Sequence, residues 1–281
     1  MIPELSATEP GRGPLTVSSV NVNGIRAAGP KGLTAWLASS TADIVCLQEV
    51  RARPEDLPAG LLATLDGLGW QLTLAPCETA PGRSGVAVLT RIEPEAVRIG
   101  MGLAEFAGSG RYLEVDLPGL TVASLYLPKG AAGTPKQDEK DRFLAGLAPY
   151  LAERRGKAAA EDREVLVCGD WNIAHTRADL RNWRGNGKNS GFLPHEREWI
   201  GSLFASGYVD VVRMLHPDVD GPYTWWSYRG RAFDNDTGWR IDYQVATPGL
   251  AARARSAAVE RAPSYDRRWS DHAPVTVRYR R

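Results

Sequence analysis

Little in this sequence points to a disulfide scaffold, a membrane protein or a polyelectrolyte. Its 281 residues contain only three cysteines, Cys46, Cys77 and Cys168, widely spaced and without a Cys-x-x-Cys pair. That spacing argues against a zinc ribbon or a dithiol redox motif, and the odd count fits a reducing compartment. No apolar run is long enough to cross a bilayer, and residues 1–14 carry proline, glycine and charges where a secretion leader would be apolar. The expected location is the cytoplasm. Charge of one sign is also missing: 34 lysines and arginines meet 33 aspartates and glutamates, leaving +1. Any contact with a polyanion must then come from a local basic face. There is no internal repeat.

What is present is a succession of short apolar runs. Eight read as strands, at 16–22, 44–48, 85–90, 112–117, 120–126, 164–168, 240–246 and 275–279, each rich in Val, Ile, Leu or Tyr and bounded by Gly, Pro, Asn or Asp. Three stripes have helical spacing: Leu33, Trp36 and Leu37; Phe143, Leu144, Leu147 and Leu151; Ile200, Leu203 and Phe204. Pro149 is expected to kink or shorten the second. The alanine- and charge-rich stretch 154–163 reads as a solvated helix end and linker. There are too few helices for a doubly wound parallel sheet, so two sheets packed face to face with helices outside are expected. Residues 1–14 read as a flexible tail and 15–281 as a single domain.

Hard polar side chains gather at the ends of these runs. Glu49 follows 44–48, Asp170 and Asn172 follow 164–168, and Asp271-His272 precedes 275–279. A glutamate at a strand end is ordinarily a solvated end. Three carboxylates brought into one cleft repel one another unless a cation lies between them, and oxygen ligands plus water suit magnesium. Asn21 and Asn23 flank Val22 and share a face of an extended strand; Asn23-Gly24 is turn chemistry. Asp242, between Ile241 and Tyr243, reads as a buried acid. It would orient His272 and raise its basicity, or else pair with Arg240. Tyr126 reads as core from its own context. The segment 177–191, with Arg181, Lys188 and Asn189, is basic and amide-rich and suits phosphate and sugar contacts, although solvated loops of this kind are common. Trp225 and Trp239 can stack on bases or form a small satellite core.

These segments together, among them SSVNVNGIRA (18–27), DIVCLQEV (43–50), LYLPKG (125–130), CGDWNIAHT (168–176), GWRIDYQVA (238–246) and WSDHAPV (269–275), resemble the exonuclease III family of metal-dependent phosphodiesterases and abasic-site endonucleases. The resemblance runs from about 16 to 279. It implies a four-layered α-β-β-α sandwich of two mixed β-sheets flanked by helices, the site lying at one end of the sheets. It implies a Mg²⁺ or Mn²⁺ site with Glu49 as main ligand, Asn23 and Asp271 beside it, Asn21 behind, and Asp170 and Asn172 as further oxygen donors. It casts Asp170 as the group that orients or deprotonates water, Asn172 as a holder of phosphate or water, and His272, oriented by Asp242, as a phosphate contact. It moves Tyr126 from core to active site. Trp225, Trp239 and Ile241 match a pocket for a flipped-out abasic sugar. The implied partner is double-stranded DNA with abasic sites, nicks or 3′ ends, acted on by a monomer without membrane contact. Two departures stand out: many relatives carry aspartate where Asn23 stands, and the loop after Tyr126 has no arginine to wedge into a duplex. Hydrolysis of a phospholipid or inositol phosphate, or DNA binding without cleavage, are the competing readings.

Overall fold

The computed structural model describes residues 13–281; the tail expected over 1–14 lies, apart from Gly13 and Pro14, outside the described residues. Twelve strands form the sheets: β1 (Leu15–Asn21), β2 (Ile44–Gln48), β3 (Gln71–Ala75), β4 (Val86–Thr90), β5 (Ala96–Ile99), β6 (Tyr112–Leu117), β7 (Leu120–Tyr126), β8 (Glu164–Asp170), β9 (Val209–Asp210), β10 (Asp242–Ala246), β11 (Ala254–Val259) and β12 (Val275–Tyr279). One sheet runs β11-β12-β1-β2-β4-β3 and the other β5-β6-β7-β8-β10-β9. Both are mixed, since β1–β2 and β7–β8 are parallel and the other pairings antiparallel.

The central strands are apolar on both faces because both faces are covered. In β2, Ile44 and Cys46 face the space between the sheets while Val45 and Leu47 face the helices Thr34–Ser39 and Ala59–Gly67. In β8, Leu166 and Cys168 face inward while Val165 and Val167 meet the helices Pro135–Ala160 and Pro194–Ala205. This is the four-layered sandwich that the sequence implies. Among the described residues no helix is long and apolar enough to cross a membrane.

One helical expectation needs correction. The helix Pro135–Ala160 runs through Pro149 without ending. Pro149 and Ala145, whose carbonyl loses its partner, both lie on the exposed face, where water satisfies the carbonyl. Meanwhile Phe143, Leu144, Leu147 and Leu151 anchor the opposite face. The stretch 154–163 is, as expected, a largely exposed helix end, helical to Ala160; within it the half-buried Arg154 lies 3.2 Å from the fully buried Glu114.

Topology places the site. The C-terminal ends of the parallel pairs β1–β2 and β7–β8 and the N-terminal ends of the antiparallel strands β10 and β12 share one rim. Asn21, Glu49, Tyr126, Asp170, Asp242 and Asp271-His272 all lie at those ends. A buried polar layer beneath the rim ties the sheets together: Gln48 Nε2 donates to Ser124 Oγ at 3.0 Å, and Ser124 Oγ donates to the Leu47 carbonyl at 3.0 Å.

Candidate active site

Four non-glycine residues around the rim hold left-handed backbone: Asn23 (φ 47°), Glu49 (φ 50°), Arg51 (φ 53°) and Asn172 (φ 50°). Each costs about 1–3 kcal/mol, and such strain persists where surroundings over-determine it. Here neighbouring backbones do so: Gly24 N–H donates to the Glu49 carbonyl at 2.8 Å, and Arg51 N–H to that of Ser84 at 2.8 Å. Gly169 is required beside them, because a Cβ there would sit 2.0 Å from the Leu125 carbonyl oxygen. All four strained residues line one cleft of about 300 Å³, together with Tyr126, Lys129, Asp170, Asn189, Ser190, Trp225, Trp239, Ile241, Asp271 and His272.

Two polar groupings divide this cleft. In the first, Glu49 accepts from the Tyr126 hydroxyl and, at 2.6 Å, from the Arg51 guanidinium. Asp271 Oδ1 accepts from Asn23 Nδ2 and Asp271 Oδ2 from Trp225 Nε1, both at 2.9 Å. Burial opposes the charge on Asp271, but the neighbouring His272 imidazolium and these N–H donors hold its carboxyl below the usual carboxylate range. Ionised oxygens with a guanidinium already drawn to one of them make a hard-donor set that fits a magnesium-type cation. The second grouping is a relay. His272 Nδ1 pairs with Asp242 Oδ2 at 2.9 Å, Thr224 Oγ1 donates to the same oxygen at 2.6 Å, and His272 Nε2 lies 3.8 Å from Asp170 Oδ2.

Asp170, Asp242 and His272 lie close enough together to hold an ion. Without an ion they form a hydrogen-bonded acid–imidazole group. Burial by itself would lower the His272 pKa, but the Asp242 and Asp170 carboxylates reverse this and hold it at about 10. Without a metal the ring is therefore held toward the imidazolium form, in which both nitrogens carry protons. Burial pushes Asp170 up to about 7, with Asp242 adding to the shift and His272 and the Asn21 amide opposing it. A carboxylate poised near neutrality and facing an imidazolium suits proton transfer.

The structure corrects one ligand assignment. Asn21 Nδ2 donates to Asp170 Oδ2 and its Oδ1 accepts from Asn23 N–H, both at 2.9 Å. The side chain is buried and does not reach the cleft, so Asn21 supports Asp170 instead of offering a ligand. Asp242 pairs with His272 and not with Arg240, which is fully buried between Asp179 and Asp210. Tyr126 is both buried and a lining residue, so its packing role does not exclude it from the site. Of the basic segment, Asn189 reaches the cleft; Arg181 and Lys188 are exposed on the same segment outside it, Arg181 lying 3.9 Å from Asp220.

A family model described as endonuclease/exonuclease/phosphatase matches residues 18–272. The chain belongs to that family. It is 34% identical over 260 residues to an exodeoxyribonuclease of Bacillus subtilis, covering 92% of this chain and 97% of that one. Among solved structures it is similar to the 3′ phosphatase NExo from Neisseria bound to a product DNA hairpin, at 28% identity and TM-score 0.83 over 94% of this chain and 99% of that one. It is also similar to an AP endonuclease from Archaeoglobus fulgidus, at 27% identity and TM-score 0.82 over 94% and 99% of the two chains.

Within this family member, sequence reasoning missed Arg51, Thr224 and Ser190. Arg51 stands two residues after Glu49, a spacing that could have flagged it. Thr224 and Ser190 carry no local signal, since only the fold brings them to Asp242 and to the cleft. The relay has a spectroscopic consequence. In metal-free protein the His272 ring is expected to titrate near 10 by nitrogen NMR. Asp242→Asn removes the carboxylate hydrogen-bonded to the ring, so the titration should move down; an unmoved ring would mean that Asp242 does not hold the proton.

Proposed function

We propose that this chain hydrolyses phosphodiester bonds of duplex DNA, removing nucleotides from 3′ ends and incising at abasic sites in base excision repair. The observation that carries this reading is the adjacency, in one cleft, of an oxygen-donor pair, an acid–imidazolium relay and a tryptophan-walled recess. Glu49 and Asp271 would hold a divalent cation, magnesium or manganese, with Asn23 completing that side. When bound, such a cation neutralises the scissile phosphate and the leaving oxygen.

The chain's own groups supply the remainder. Asp170, ionised above about pH 7, takes the proton of the attacking water. Its orientation is fixed by Asn21 Nδ2 at 2.9 Å on one oxygen and Asn172 N–H at 3.0 Å on the other. His272 turns its protonated Nε2 toward the same space, where it donates to a non-bridging oxygen as charge develops. Asp242 keeps it charged. Tyr126 and Asn172 hold the phosphate from the other side. Because these donors are fixed before substrate arrives, little reorganisation is needed at the moment of reaction.

DNA is favoured over a lipid phosphate by what surrounds the cleft. Trp225 and Trp239 meet edge to face, centroids 6.2 Å apart, and with Ile241 wall a recess suited to a neutral base-less sugar. Arg181, Lys188 and Asn189 lie along the segment that borders it and would contact the phosphate backbone. The protein would act as a monomer. Trp239→Ala is expected to raise KM for an abasic duplex about tenfold, the order of one buried apolar contact. KM for a recessed 3′ end should move less; equal losses on both substrates would contradict the recess assignment.

The deciding experiment is a labelled duplex with a central abasic analogue, run beside blunt and recessed duplexes. Expected are a break at the analogue and stepwise loss from 3′ ends, both abolished by a chelator and restored by Mg²⁺. DNA retention without cleavage would overturn the reading.

A further inference from the structure

Away from the reacting groups, one fully buried ion pair has no role in the chemistry above. Lys140 Nζ lies 2.6 Å from Glu196 Oε1, and both side chains are completely covered. Such pairs are weak evidence for stability, because removing two charges from water costs about what their attraction returns. Their partners reveal more. Lys140 Nζ donates to the Asn172 carbonyl at 2.9 Å and lies 3.5 Å from the Lys129 carbonyl and 3.4 Å from Ser190 Oγ. Glu196 accepts from Gly191 N–H at 2.6 Å, Leu193 N–H at 3.0 Å and Ser190 Oγ at 3.1 Å. The single Ser190 hydroxyl hydrogen is shared between Glu196 and the Lys129 carbonyl, 2.8 Å from Ser190 Oγ. Three separate segments that line the cleft, at 129, 172 and 189–190, are thus tied to one charge pair.

The fit is tight. Gly130 (φ 70°) leaves no room for a side chain, since a Cβ there would sit 2.3 Å from Ser190 Oγ and 2.9 Å from Lys140 Cδ. The Asn172 carbonyl projects from one of the left-handed residues, and a charge-assisted hydrogen bond there opposes relaxation to an unstrained backbone.

We infer that Lys140 and Glu196 are positioning residues: they fix Asn172 and the 189–193 segment in the geometry that receives the phosphate, and contribute little to global stability. The inference rests on the proposed function for its kinetic arm only. The test is Lys140→Met combined with Glu196→Gln, which removes both charges while the new amide oxygen still accepts from the 191 and 193 amides. The thermal transition should stay close to that of the unaltered protein. Hydrogen exchange, followed by mass spectrometry on the metal-free protein, should accelerate about tenfold over 172–174 and 189–193, with the sheets unchanged. The kcat on a Mg²⁺-dependent DNA substrate should fall about tenfold, KM moving less, and this loss should largely vanish in an Asn172→Ala background, because coupled residues are not additive. Even exchange, unchanged kcat or a fully additive loss would overturn the inference. Should the double variant fold poorly, Ser190→Ala serves in its place: it cuts the bridge from Lys129 to Glu196 at the rim, and faster exchange confined to 129–130 and 189–191 is expected, whereas no local change overturns the proposal. Absence of cleavage by the unaltered protein bears on the proposed function instead, and the exchange pattern still decides this point.

Discussion

Asp170→Asn is expected to lower kcat on a DNA phosphodiester by about 10³-fold, the range associated with losing a positioned general base. The substitution keeps the shape of a side chain that is 2% exposed. It removes the group that can take a proton from water and leaves Asn21 and Asn172 facing an amide. Stability should not fall with activity. Burial holds the Asp170 carboxyl up at about 7, against an ordinary value of 3.8, so above the ordinary value its ionisation works against the folded state. A neutral amide removes that penalty but can accept from only one of the two donors, Asn21 Nδ2 and Asn172 N–H, so the melting temperature at pH 8 should change little. Turnover within tenfold of normal would remove Asp170 from the proton-transfer role.

Glu49→Gln is the second large effect. Glu49 combines strained backbone, a Tyr126 hydroxyl on one oxygen and the Arg51 guanidinium on the other. A glutamine retains the volume but loses the charge that balances a divalent cation. The expected result is a fall in kcat of about 10²-fold or more at saturating Mg²⁺, with the half-saturating Mg²⁺ concentration raised more than tenfold. Unlike the Asp170 variant, this one should recover part of its rate as Mg²⁺ is increased. That difference separates a ligand from a base. An unchanged metal requirement would show that Glu49 is not a ligand.

Which parts of this molecule can be read from its residues follows from where solvent reaches. All eight strand expectations correspond to observed strands, and each of these has at least one sheet neighbour on either side. The four unread strands, β3, β5, β9 and β11, are the four sheet edges. Ala96–Ile99 is largely exposed and Val209–Asp210 has two residues, so neither offers an apolar run to detect. The interior position of a strand writes itself into the sequence as continuous apolar residues; an edge does not. Pro149 does not end its helix for a related reason, its cost being small on the exposed face of a helix anchored by Phe143, Leu144, Leu147 and Leu151.

The site divides in the same way. Residues at strand ends, Glu49, Asp170, Asp242 and Asp271-His272, were legible because a hard polar side chain interrupts an apolar frame. Asn21 was legible as part of the cluster but not in its role, which depends on a hydrogen bond crossing between sheets 149 residues apart. Lys140 and Glu196 lie within helices where charged residues are ordinary, and only the fold shows that both are fully covered.

Glu49 and Asp271 make the cation side of the cleft, and Asp170, Asp242 and His272 the proton-transfer side. Anomalous scattering from Mn²⁺ in crystals of this protein tests this division directly. The expected result is a peak about 2–2.4 Å from oxygens of Glu49 and Asp271, with the Asp242–His272 pair intact. A peak enclosed by Asp170, Asp242 and His272, with nothing at Glu49, would contradict it.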